Sequence, residues 1–505
     1  MISSMTFEQA LQWQRAAARL CLCLVAVSAF VFAQHKVAWC EVDISTDKPL
    51  ELRGQMYKRI SKGILDPTTA SILVVDSNED FVIFISLDSI AAGSIKTYVN
   101  RKIRQLRPGF PTGKLLYSAT HAHTAINVDA KASKEYTNWL VDTLTNKILE
   151  TYDNRKEGAT FAYGYGYARI GLCRRPTYFD DLRLRKNARN NALSVDKHAK
   201  MHGNTNDPQF AGIESGADSI VNLLYVFQDG KLTGAIVNIP CPAQATDGLL
   251  YLSADFWHET RQLIRKEHGD IFILPQCAAA GELVTRDLIN GRLVATRRKS
   301  LFEVNVSEPK YNKAARLDAA TQIAFAFNDT LKWARLEPIR DPVIKHVTLE
   351  LKLKPVHVDE ELLNLAKKEI VDCNKLLENP PKDQKQADII ASRLGRARTL
   401  IRKAENEAKG IPYTTYANVL RFGDIAFASN QFELYGEYQF QIQAQSPAIQ
   451  TFVVQLSEHG TYLPSPKAFN NQGYGAIPFS CSVGPEGGAQ LVNATVNALQ
   501  KLFKE

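Results

Sequence analysis

An apolar run that ends in two closely spaced histidines constrains the fold of this chain more than any other stretch. Leu115–Ala119 contains one serine among apolar and aromatic residues, and Thr120 then precedes His121 and His123. Residues two apart on an extended backbone point to the same side, so both imidazoles face one way. Neutral imidazole is a frequent zinc ligand, and ligands bind beyond the carboxyl ends of parallel strands. The pair therefore indicates half of a zinc site, with two polar histidines in a turn as the alternative.

Strand-like and helical segments alternate along the chain. Residues 71–75 and 81–87 are rich in β-branched and aromatic side chains on either side of a polar turn, which predicts a hairpin. A second hairpin is predicted across the turn at residues 228–230. Residues 135–154 and 256–268 carry apolar side chains at helical spacing. The alternation indicates an α/β fold.

Two further helical segments are predicted in the last third of the chain. Over residues 358–410 the composition shifts to Leu, Lys, Glu, Ala and Arg at helical spacing, and Pro380-Pro381 interrupts it. We interpret this segment as a helical hairpin inserted between strands, with its charged faces in solvent. Further on, Gln431-Phe-Glu433 is predicted to open a helix that continues to Ile442.

Composition and the N-terminus limit the class of protein. The 505 residues are 45% hydrophobic with a formal net charge of +8, and no basic stripe with interleaved aromatic residues is visible. We therefore expect no nucleic-acid partner. Arg15 and Arg19 precede an apolar run over residues 20–33, which is the length of a signal-peptide core and short for a membrane span. Residues 1–33 thus predict a signal peptide and a secreted or periplasmic protein, with an uncleaved anchor as the alternative.

The cysteines give no metal-knuckle or redox motif. After the signal peptide they are Cys40, Cys173, Cys241, Cys277, Cys373 and Cys481. No pair of them has Cys-x-x-Cys spacing. Export permits disulfides, but their pairing cannot be deduced from the sequence. A nucleophile elbow, a phosphate-binding loop and a dinucleotide fingerprint are also absent from the sequence.

From about Gly54 to Leu499, the order of elements resembles the neutral (alkaline, non-lysosomal) ceramidase family. That family carries His-Thr-His-Ser-Gly after a strand, and the matching stretch here is Thr-His-Ala-His-Thr-Ala at residues 120–125. The resemblance implies a mixed-sheet α/β catalytic domain over residues 34–505, without the C-terminal sandwich domain of longer members. It also implies that His121 is a zinc ligand and that His123 faces the substrate.

The resemblance implies three more zinc ligands. Cys241, in Ile-Pro-Cys-Pro at residues 239–242, falls on the second zinc histidine of the family. Thiolate is a good zinc ligand, and a buried structural cysteine is the alternative. Glu433 matches the carboxylate ligand of the family, and Tyr462 matches its tyrosine ligand. The expected cofactor is therefore one Zn²⁺ held by His121, Cys241, Glu433 and Tyr462.

Further active-site residues follow from the same resemblance. Arg174 matches an arginine of the family, and Tyr474, twelve residues after Tyr462, matches a second active-site tyrosine. His459 is an additional candidate because it lies close to Tyr462 in the sequence. The family serine needed for amide cleavage is replaced by Val284, so either Thr285 substitutes for it or its role is lost.

The resulting hypothesis is a zinc-dependent hydrolase that cleaves an amide or ester bond of an N-acylated small molecule or lipid. The alternative is a catalytically degenerate protein that binds a ligand or glycan without cleaving it, which the replaced serine and Cys241 favour. A purely structural zinc is a third interpretation. We expect a small-molecule or lipid substrate, and we leave peripheral membrane contact and the oligomeric state open.

Overall fold

The fold is a mixed α/β assembly, as predicted. The computed structural model describes residues 35–302 and 312–504, so the predicted signal peptide lies outside the described residues. The helices of the described part are α1 (Gly93–Leu106), α2 (Lys134–Asp153), α3 (Phe256–His268), α4 (Gly291–Phe302), α5 (Lys313–Ala334), α6 (Glu360–Glu378), α7 (Gln384–Ala408), α8 (Gly436–Gln445), α9 (Pro466–Asn471) and α10 (Pro485–Lys504). In this part of the chain, no helix is both long enough and apolar enough to cross a membrane.

The strands include long ones in sheets and short ones in two-stranded pairs. In chain order they are β1 (Lys36–Asp43), β2 (Glu51–Leu52), β3 (Arg59–Ile60), β4 (Thr69–Asp76), β5 (Phe81–Leu87), β6 (Leu115–Ala119), β7 (Ala159–Tyr167), β8 (Leu172–Cys173), β9 (Pro176–Tyr178), β10 (Asn190–Asn191), β11 (Ser194–Val195), β12 (Phe210–Ile213), β13 (Ile220–Gln228), β14 (Lys231–Ile239), β15 (Phe272–Cys277), β16 (Leu283–Val284), β17 (Ile344–Leu353), β18 (Tyr413–Phe422), β19 (Ile425–Ser429), β20 (Glu433–Leu434), β21 (Gln450–Val454) and β22 (Tyr462–Leu463). The predicted hairpins are confirmed as the antiparallel pairs β4–β5 and β13–β14.

Three four-stranded sheets share one topology. The first sheet has the order β1-β4-β5-β6, the second β7-β13-β14-β15 and the third β17-β18-β19-β21. In each sheet the first three strands pair antiparallel, and the fourth pairs parallel with the third. The parallel connections run through α1, α3 and α8 respectively. Such crossovers are required because parallel neighbours cannot be joined by a tight turn.

The inner faces of the three sheets meet in one apolar cluster. Leu73 and Val75 of β4 belong to this cluster, whereas Ile72 and Val74 face the opposite side, as the two-residue period of a strand requires. Phe427 lies at the centre, with its ring 4.9 Å from that of Phe84 and 4.4 Å from that of Phe452. One buried phenylalanine from the first sheet and two from the third are therefore in direct contact. Each contributes roughly 1.5–3 kcal/mol by burial.

Helices cover the outer faces of the sheets. α1 and α2 pack on the first sheet, α3 and α5 on the second, and α8 and α10 on the third. The covering helices expose polar side chains and bury an apolar stripe, which is the pattern that places a helix on a sheet. This arrangement leaves the ends of the strands, rather than their faces, free to build a site.

The inserted segment forms two packed helices, α6 and α7, between β17 and β18. Its charged faces are only partly in solvent, contrary to our expectation. Arg393 of α7 makes a bidentate contact with the buried carboxylate of Glu369 in α6, at 2.7 and 2.9 Å. Arg396 reaches the hydroxyl of Tyr474 at 3.3 Å. Arg396 thus connects the hairpin to the body of the protein, and buried apolar side chains of α6 and α7 pack against Ile477 and Phe479.

One local prediction is wrong. We expected Glu433 to lie in the first turn of a helix, but the helix α8 begins at Gly436. Glu433 instead belongs to the two-residue strand β20, which pairs parallel with β22. The pairing partner comes from a distant part of the sequence, and a local helical pattern therefore could not reveal it.

Candidate functional site

The candidate site lies where the parallel strand pairs of the three sheets end. His121 follows β6 of the first sheet, and Glu433 follows β19 of the third. The Nε2 atom of His121 lies 3.5 Å from Oε2 of Glu433, so these two ends are in contact. The second sheet contributes the carbonyl of Gly281, just beyond β15, which accepts a hydrogen bond from Arg174 at 3.0 Å. All three sheets therefore contribute to one site at their carboxyl edges.

His121 is held in a strained and buried position. Its φ angle is 61°, a left-handed value that costs a non-glycine residue about 1–2 kcal/mol. Its Nδ1 lies 2.8 Å from the carbonyl oxygen of Ile90. Because a carbonyl can only accept a hydrogen bond, Nδ1 carries the proton, and the lone pair of the neutral ring is on Nε2. That lone pair faces the carboxylate of Glu433.

Glu433 and Tyr462 are brought together by the pairing of β20 with β22, in which they are opposite each other. The Tyr462 hydroxyl donates to the Glu433 carboxylate. Burial alone would raise the pKa of Glu433, but His121, Tyr462 and Arg174 lower it below its usual value. Burial, followed by the charge of Glu433, raises the pKa of Tyr462 well above that of free tyrosine. At neutral pH the pair is therefore a carboxylate and a phenol.

Arg174 connects this pair to the second sheet. The short strand β8 places it, because Cys173 pairs with Leu283 of β16. Nη2 of Arg174 donates to the hydroxyl of Tyr462 at 3.1 Å. Burial disfavours the charged guanidinium, but the pKa of Arg174 is raised by Tyr462, Glu433 and neighbouring tyrosines. Arg174 is thus a fixed positive charge inside the site.

His123 forms an Asp–His pair that the sequence analysis missed. Its Nδ1 lies 3.0 Å from Oδ1 of Asp247, and its Nε2 lies 2.7 Å from the amide nitrogen of Gln244. The carboxylate accepts the Nδ1 proton, so Nε2 is the basic atom and accepts from Gln244. Burial lowers the pKa of His123, and the hydrogen bond to Asp247 opposes that effect. His123 is therefore a neutral, oriented imidazole, as a general base requires.

The backbone of Gly54 packs closely against the ring of His123. A Cβ atom at this position would lie 2.6 Å from Cγ of His123, and the φ angle of 108° is in the region that favours glycine. The next residue, Gln55, donates a hydrogen bond to Oδ1 of Asp247. The segment therefore holds both members of the Asp–His pair from one side.

Tyr474 lies beside Tyr462 in an edge-to-face contact, with ring centroids 5.5 Å apart. Its hydroxyl accepts from Arg396 of the helical hairpin, and the guanidinium carbon lies 5.2 Å from the centre of the ring. Sequence reasoning missed Arg396, because α7 is far from the site in sequence and its arginines are spaced like solvent-facing charges. No local signal distinguishes Arg396 from its neighbours.

Two further candidates from the sequence, Thr285 and His459, differ in their position relative to this cluster. Val284 and Thr285 line the same cleft as His123, with Val284 buried and Thr285 partly exposed. The hydroxyl of Thr285 is thus one residue beyond the position of the family serine. His459 lies elsewhere, since its Nε2 is 3.0 Å from Asp129 and 3.2 Å from the hydroxyl of Ser94.

Cys241 is buried apart from the cluster. Its thiol lies 3.6 Å from the carbonyl oxygen of Pro242, and its own carbonyl accepts from the thiol of Cys277 at 3.4 Å. Burial, with a smaller effect of Cys277 and Asp255, raises its pKa well above that of a free thiol. All six cysteines of the described ranges are free thiols. Binding of a metal by Cys241 stays a prediction, and no contact with the other predicted ligands supports it.

The donor set fits a zinc ion. In the assigned tautomers, Nε2 of His121 has a lone pair directed at Glu433 and lies 3.4 Å from Nε2 of His123. Only a proton or a cation relieves the repulsion between the His121 lone pair and the carboxylate of Glu433. Two donors on one tetrahedral zinc at about 2.1 Å lie roughly 3.4 Å apart, which is close to the 3.5 Å between His121 and Glu433. Over residues 35–302 and 312–504, no three His, Cys, Asp or Glu side chains form a metal-binding group, so Tyr462 is needed as the third donor.

A deep cleft of about 980 Å³ opens onto this cluster. His123, Arg174, Asp247, Tyr462 and Tyr474 all line it. A cleft of this size accommodates a ligand of several hundred daltons. His121 and Glu433 are not among its lining residues, so part of the cluster, rather than all of it, borders the cavity.

Comparisons with known proteins identify solved structures with a similar fold. No protein-family model matches the chain, and no curated protein sequence matches it. Among solved structures, the neutral ceramidase from Pseudomonas aeruginosa superimposes with a TM-score of 0.63 at 14% identity, covering 93% of this chain and 74% of that chain. A structure described as ceramidase complexed with C2 gives a TM-score of 0.62 at 13% identity, covering 93% and 75% of the two chains. This chain has a ceramidase-like fold. Because identity is this low, the likeness extends to the fold and not to the activity.

Proposed function

We propose that this protein is an exported zinc-dependent hydrolase that cleaves an amide or ester bond of an N-acylated small molecule or lipid. The observation that supports it most is the meeting of His121, Glu433 and Tyr462 beside His123. Tyr462 and the His123–Asp247 pair line an open cleft. His121, Glu433 and Tyr462 would hold the zinc. When bound, zinc supplies the Lewis acidity that lowers the pKa of water from about 16 towards 7.

His123 takes the role of general base and acid in this proposal. Its Nε2 carries the lone pair and accepts from the amide of Gln244, while Asp247 binds the Nδ1 proton. For catalysis, the attacking water takes the place of the Gln244 amide at Nε2. It therefore accepts a proton from the attacking water at Nε2 and returns it to the leaving amine. Asp247 stabilises the imidazolium formed between these two transfers, as a carboxylate does in other Asp–His pairs.

Arg174 and Tyr474 stabilise the negative charge that develops on the carbonyl oxygen. Both line the cleft, and Arg174 is held in place by Gly281 and Tyr462. A buried guanidinium fixed before the reaction stabilises an oxyanion without reorganisation. Replacing either by alanine should slow turnover on the order of 100-fold. Wild-type turnover in both variants would contradict this assignment.

Metal content tests the proposed site directly. We expect about one zinc per chain in the wild type, measured by elemental analysis after gel filtration. His121→Ala and Glu433→Gln should lose it, because each removes one of three donors. Cys241→Ala tests the fourth predicted ligand: loss of zinc would show that the thiol binds it, and retention would show that the thiol only packs against Pro242 and its neighbours. Zinc loss only in the cysteine variant would contradict the ligand set, and no zinc in the wild type would refute the proposed mechanism.

A binding protein without catalysis is the second candidate, and one observation favours it. Val284 buries an apolar side chain where the ceramidase family has a serine hydroxyl. Screening N-acyl amides against the wild type and Thr285→Val separates the two. Turnover in the wild type that falls in the Thr285→Val variant supports hydrolysis with a substituted hydroxyl. Tight binding of N-acyl amides without release of amine, in zinc-loaded protein, supports the binding protein.

A further inference from the structure

The charge of the cleft points to the kind of substrate that it takes. Its lining contains more cations than acids. The cations are Arg174, Arg189, Lys200, Arg286 and Arg298, and the acids are Asp196, Asp247 and Asp287. A cleft lined by one sign of charge concentrates ligands of the opposite sign. The charge that a ligand meets in the cleft therefore depends on which of these side chains are already paired within the protein.

The three acids are all engaged. Asp247 is bound by His123, and Asp196 accepts from the hydroxyl of Ser194 at 2.7 Å. Asp287 accepts from the amide of Asn290 at 3.2 Å and pairs with Arg169 at 3.4 Å. None of them is therefore positioned to neutralise the cations of the cleft by a direct contact.

Three of the cations make no direct contact with an acid, although Lys200 and Arg189 interact electrostatically with Asp196. Arg174 is bound to Tyr462, and Arg298 donates to Asp318 at 3.1 Å. Within the described part of the chain, Arg189, Lys200 and Arg286 make no side-chain hydrogen bond or ion pair. They are exposed, as a rim of the cleft requires. We call these three side chains the basic rim.

Backbone contacts hold the basic rim close to the catalytic cluster. Arg286 is three residues beyond Leu283, which pairs with Cys173 next to Arg174. Lys200 lies on a segment whose His202 amide donates to the carbonyl of Arg174 at 2.8 Å. The segment around Arg189 is connected to the Tyr474 loop, because the amide of Gly473 donates to the carbonyl of Val195 at 2.7 Å. The rim and the cluster therefore form one continuous surface.

We infer that the substrate carries an anionic group, such as a carboxylate, sulfate or phosphate, that binds the basic rim while its acyl bond lies at the catalytic cluster. This inference rests on the proposed function and specifies its substrate class. Guanidinium and ammonium groups are the usual partners of such anions. The preferred substrate is thus an N-acyl amide with an acidic head group, rather than a neutral lipid amide.

Two probes that differ only in charge test it. N-dodecanoylglycine ends in a carboxylate, and N-dodecanoylglycinamide ends in a neutral amide with the same acyl chain and the same scissile bond. In the zinc-loaded wild type, we expect kcat/KM for the acid to exceed that for the amide by about 10-fold or more at low salt. Raising the salt to 1 M, where screening acts within about 3 Å, should reduce this ratio.

A matched pair of triple variants assigns the preference to the basic rim. Arg189→Gln/Lys200→Gln/Arg286→Gln should bring the ratio near one. Lys186→Gln/Arg292→Gln/Lys299→Gln loses the same charge from exposed side chains on neighbouring segments that do not line the cleft, and it should keep the wild-type ratio. Equal ratios in the wild type, or equal losses in both triple variants, would overturn the inference.

Calorimetric binding separates this inference from the proposed function. If the wild type cleaves neither probe but binds the acid at least tenfold more tightly than the amide, and the basic-rim variant does not, the hydrolase proposal fails and the anionic ligand class stands. If both probes are cleaved at equal rates, hydrolysis stands and the anionic class fails. If the wild type binds and cleaves neither probe, the inference is overturned with the proposal.

Discussion

At the scale of single residues, Asp247 determines which nitrogen of His123 is basic. Its carboxylate accepts the Nδ1 proton at 3.0 Å, which leaves the lone pair on Nε2. Burial raises the pKa of Asp247, but His123 and Gln55 lower it below its usual range, and the carboxylate stays ionised at neutral pH. An ionised partner is needed to stabilise the imidazolium that forms during proton transfer.

Asp247→Asn should therefore lower turnover by about 10- to 100-fold, because it removes the group that orients His123. Zinc content should stay at the wild-type value, since Asp247 is not among the proposed ligands. Asp129→Asn is the matched control, because it breaks a contact of 3.0 Å between an aspartate and His459 outside the cluster. Equal loss of turnover in the two variants would argue against a specific role of Asp247.

Glu282 gives a prediction of pH dependence. It is buried beside Arg174, and the backbone amide of Gly436 donates to its carboxyl at 3.0 Å. Burial raises the pKa of Glu282 from 4.5 to about 7. A raised folded-state pKa favours the folded protein below the unfolded pKa, and this stability is lost as pH rises through the folded pKa.

Glu282→Gln removes that titration while keeping a hydrogen-bond acceptor. Between about pH 4.5 and 7, the free energy of unfolding of the wild type should fall relative to that of the variant, by up to about 3 kcal/mol. Urea titrations at pH 4.5, 6 and 7.5 measure the difference. A difference that is independent of pH would show that Glu282 does not titrate in this window.

At the scale of elements, the inserted hairpin contributes a side chain to the candidate site. Arg396 of α7 contacts the hydroxyl and the ring face of Tyr474, and it also donates to the hydroxyl of Ser480 at 3.2 Å. One helix thus fixes the side chain of a proposed oxyanion-binding residue. Movement of the hairpin would move Tyr474 with it.

Arg396→Gln should lower kcat more than it raises KM, because it leaves the cleft in place but releases Tyr474. We expect a loss of roughly 10-fold in kcat, which is less than removal of the tyrosine itself causes. Arg398→Gln on the same helix is the control. Arg398 donates to the side chain of Asn374, at 3.4 Å, within the hairpin, so this substitution should be neutral. A loss of turnover in both variants would point to general destabilisation of the hairpin.

The accuracy of the sequence-based predictions differs between elements. The helix over residues 256–268 and the hairpin of β4 and β5 have the boundaries expected from periodicity to within a few residues, because their apolar patterns are local. The strand that holds Glu433 has two residues and forms by pairing with β22. The local sequence around Glu433 therefore predicted a helix there wrongly. Gln244 and Asp247 follow a predicted strand, and a search for polar residues after β14 could have found them. The position of Arg396 depends on tertiary packing alone.

At the scale of the whole molecule, the site is a junction of three sheets. His121 follows the last strand of the first sheet, and Glu433 follows β19 of the third sheet and pairs with Tyr462. Arg174 follows β8 and binds the carbonyl of Gly281, just beyond the second sheet. A ligand that binds all these parts stabilises their packing as well as its own contacts. By mass action, a metal at about 1,000 times its Kd adds about 4 kcal/mol to the free energy of unfolding.

Removal of metal should therefore lower the melting temperature of the whole chain in one transition. We expect a chelator to lower the Tm of the wild type, and added zinc to restore it, as measured by differential scanning calorimetry. The Tm of Glu433→Gln should not respond to either treatment. A chelator effect of equal size in this variant would show that the stabilising metal lies elsewhere.

The repeated sheet topology has a consequence for the order of events during synthesis. His121 belongs to the first repeat and Tyr462 to the last, so the donors are separated by most of the chain. A nascent chain that still lacks β22 has no complete donor set, however well its earlier sheets have folded. If the proposed donor set binds zinc, the metal can bind only after β22 has been synthesised, and a product truncated before β22 would lack the site.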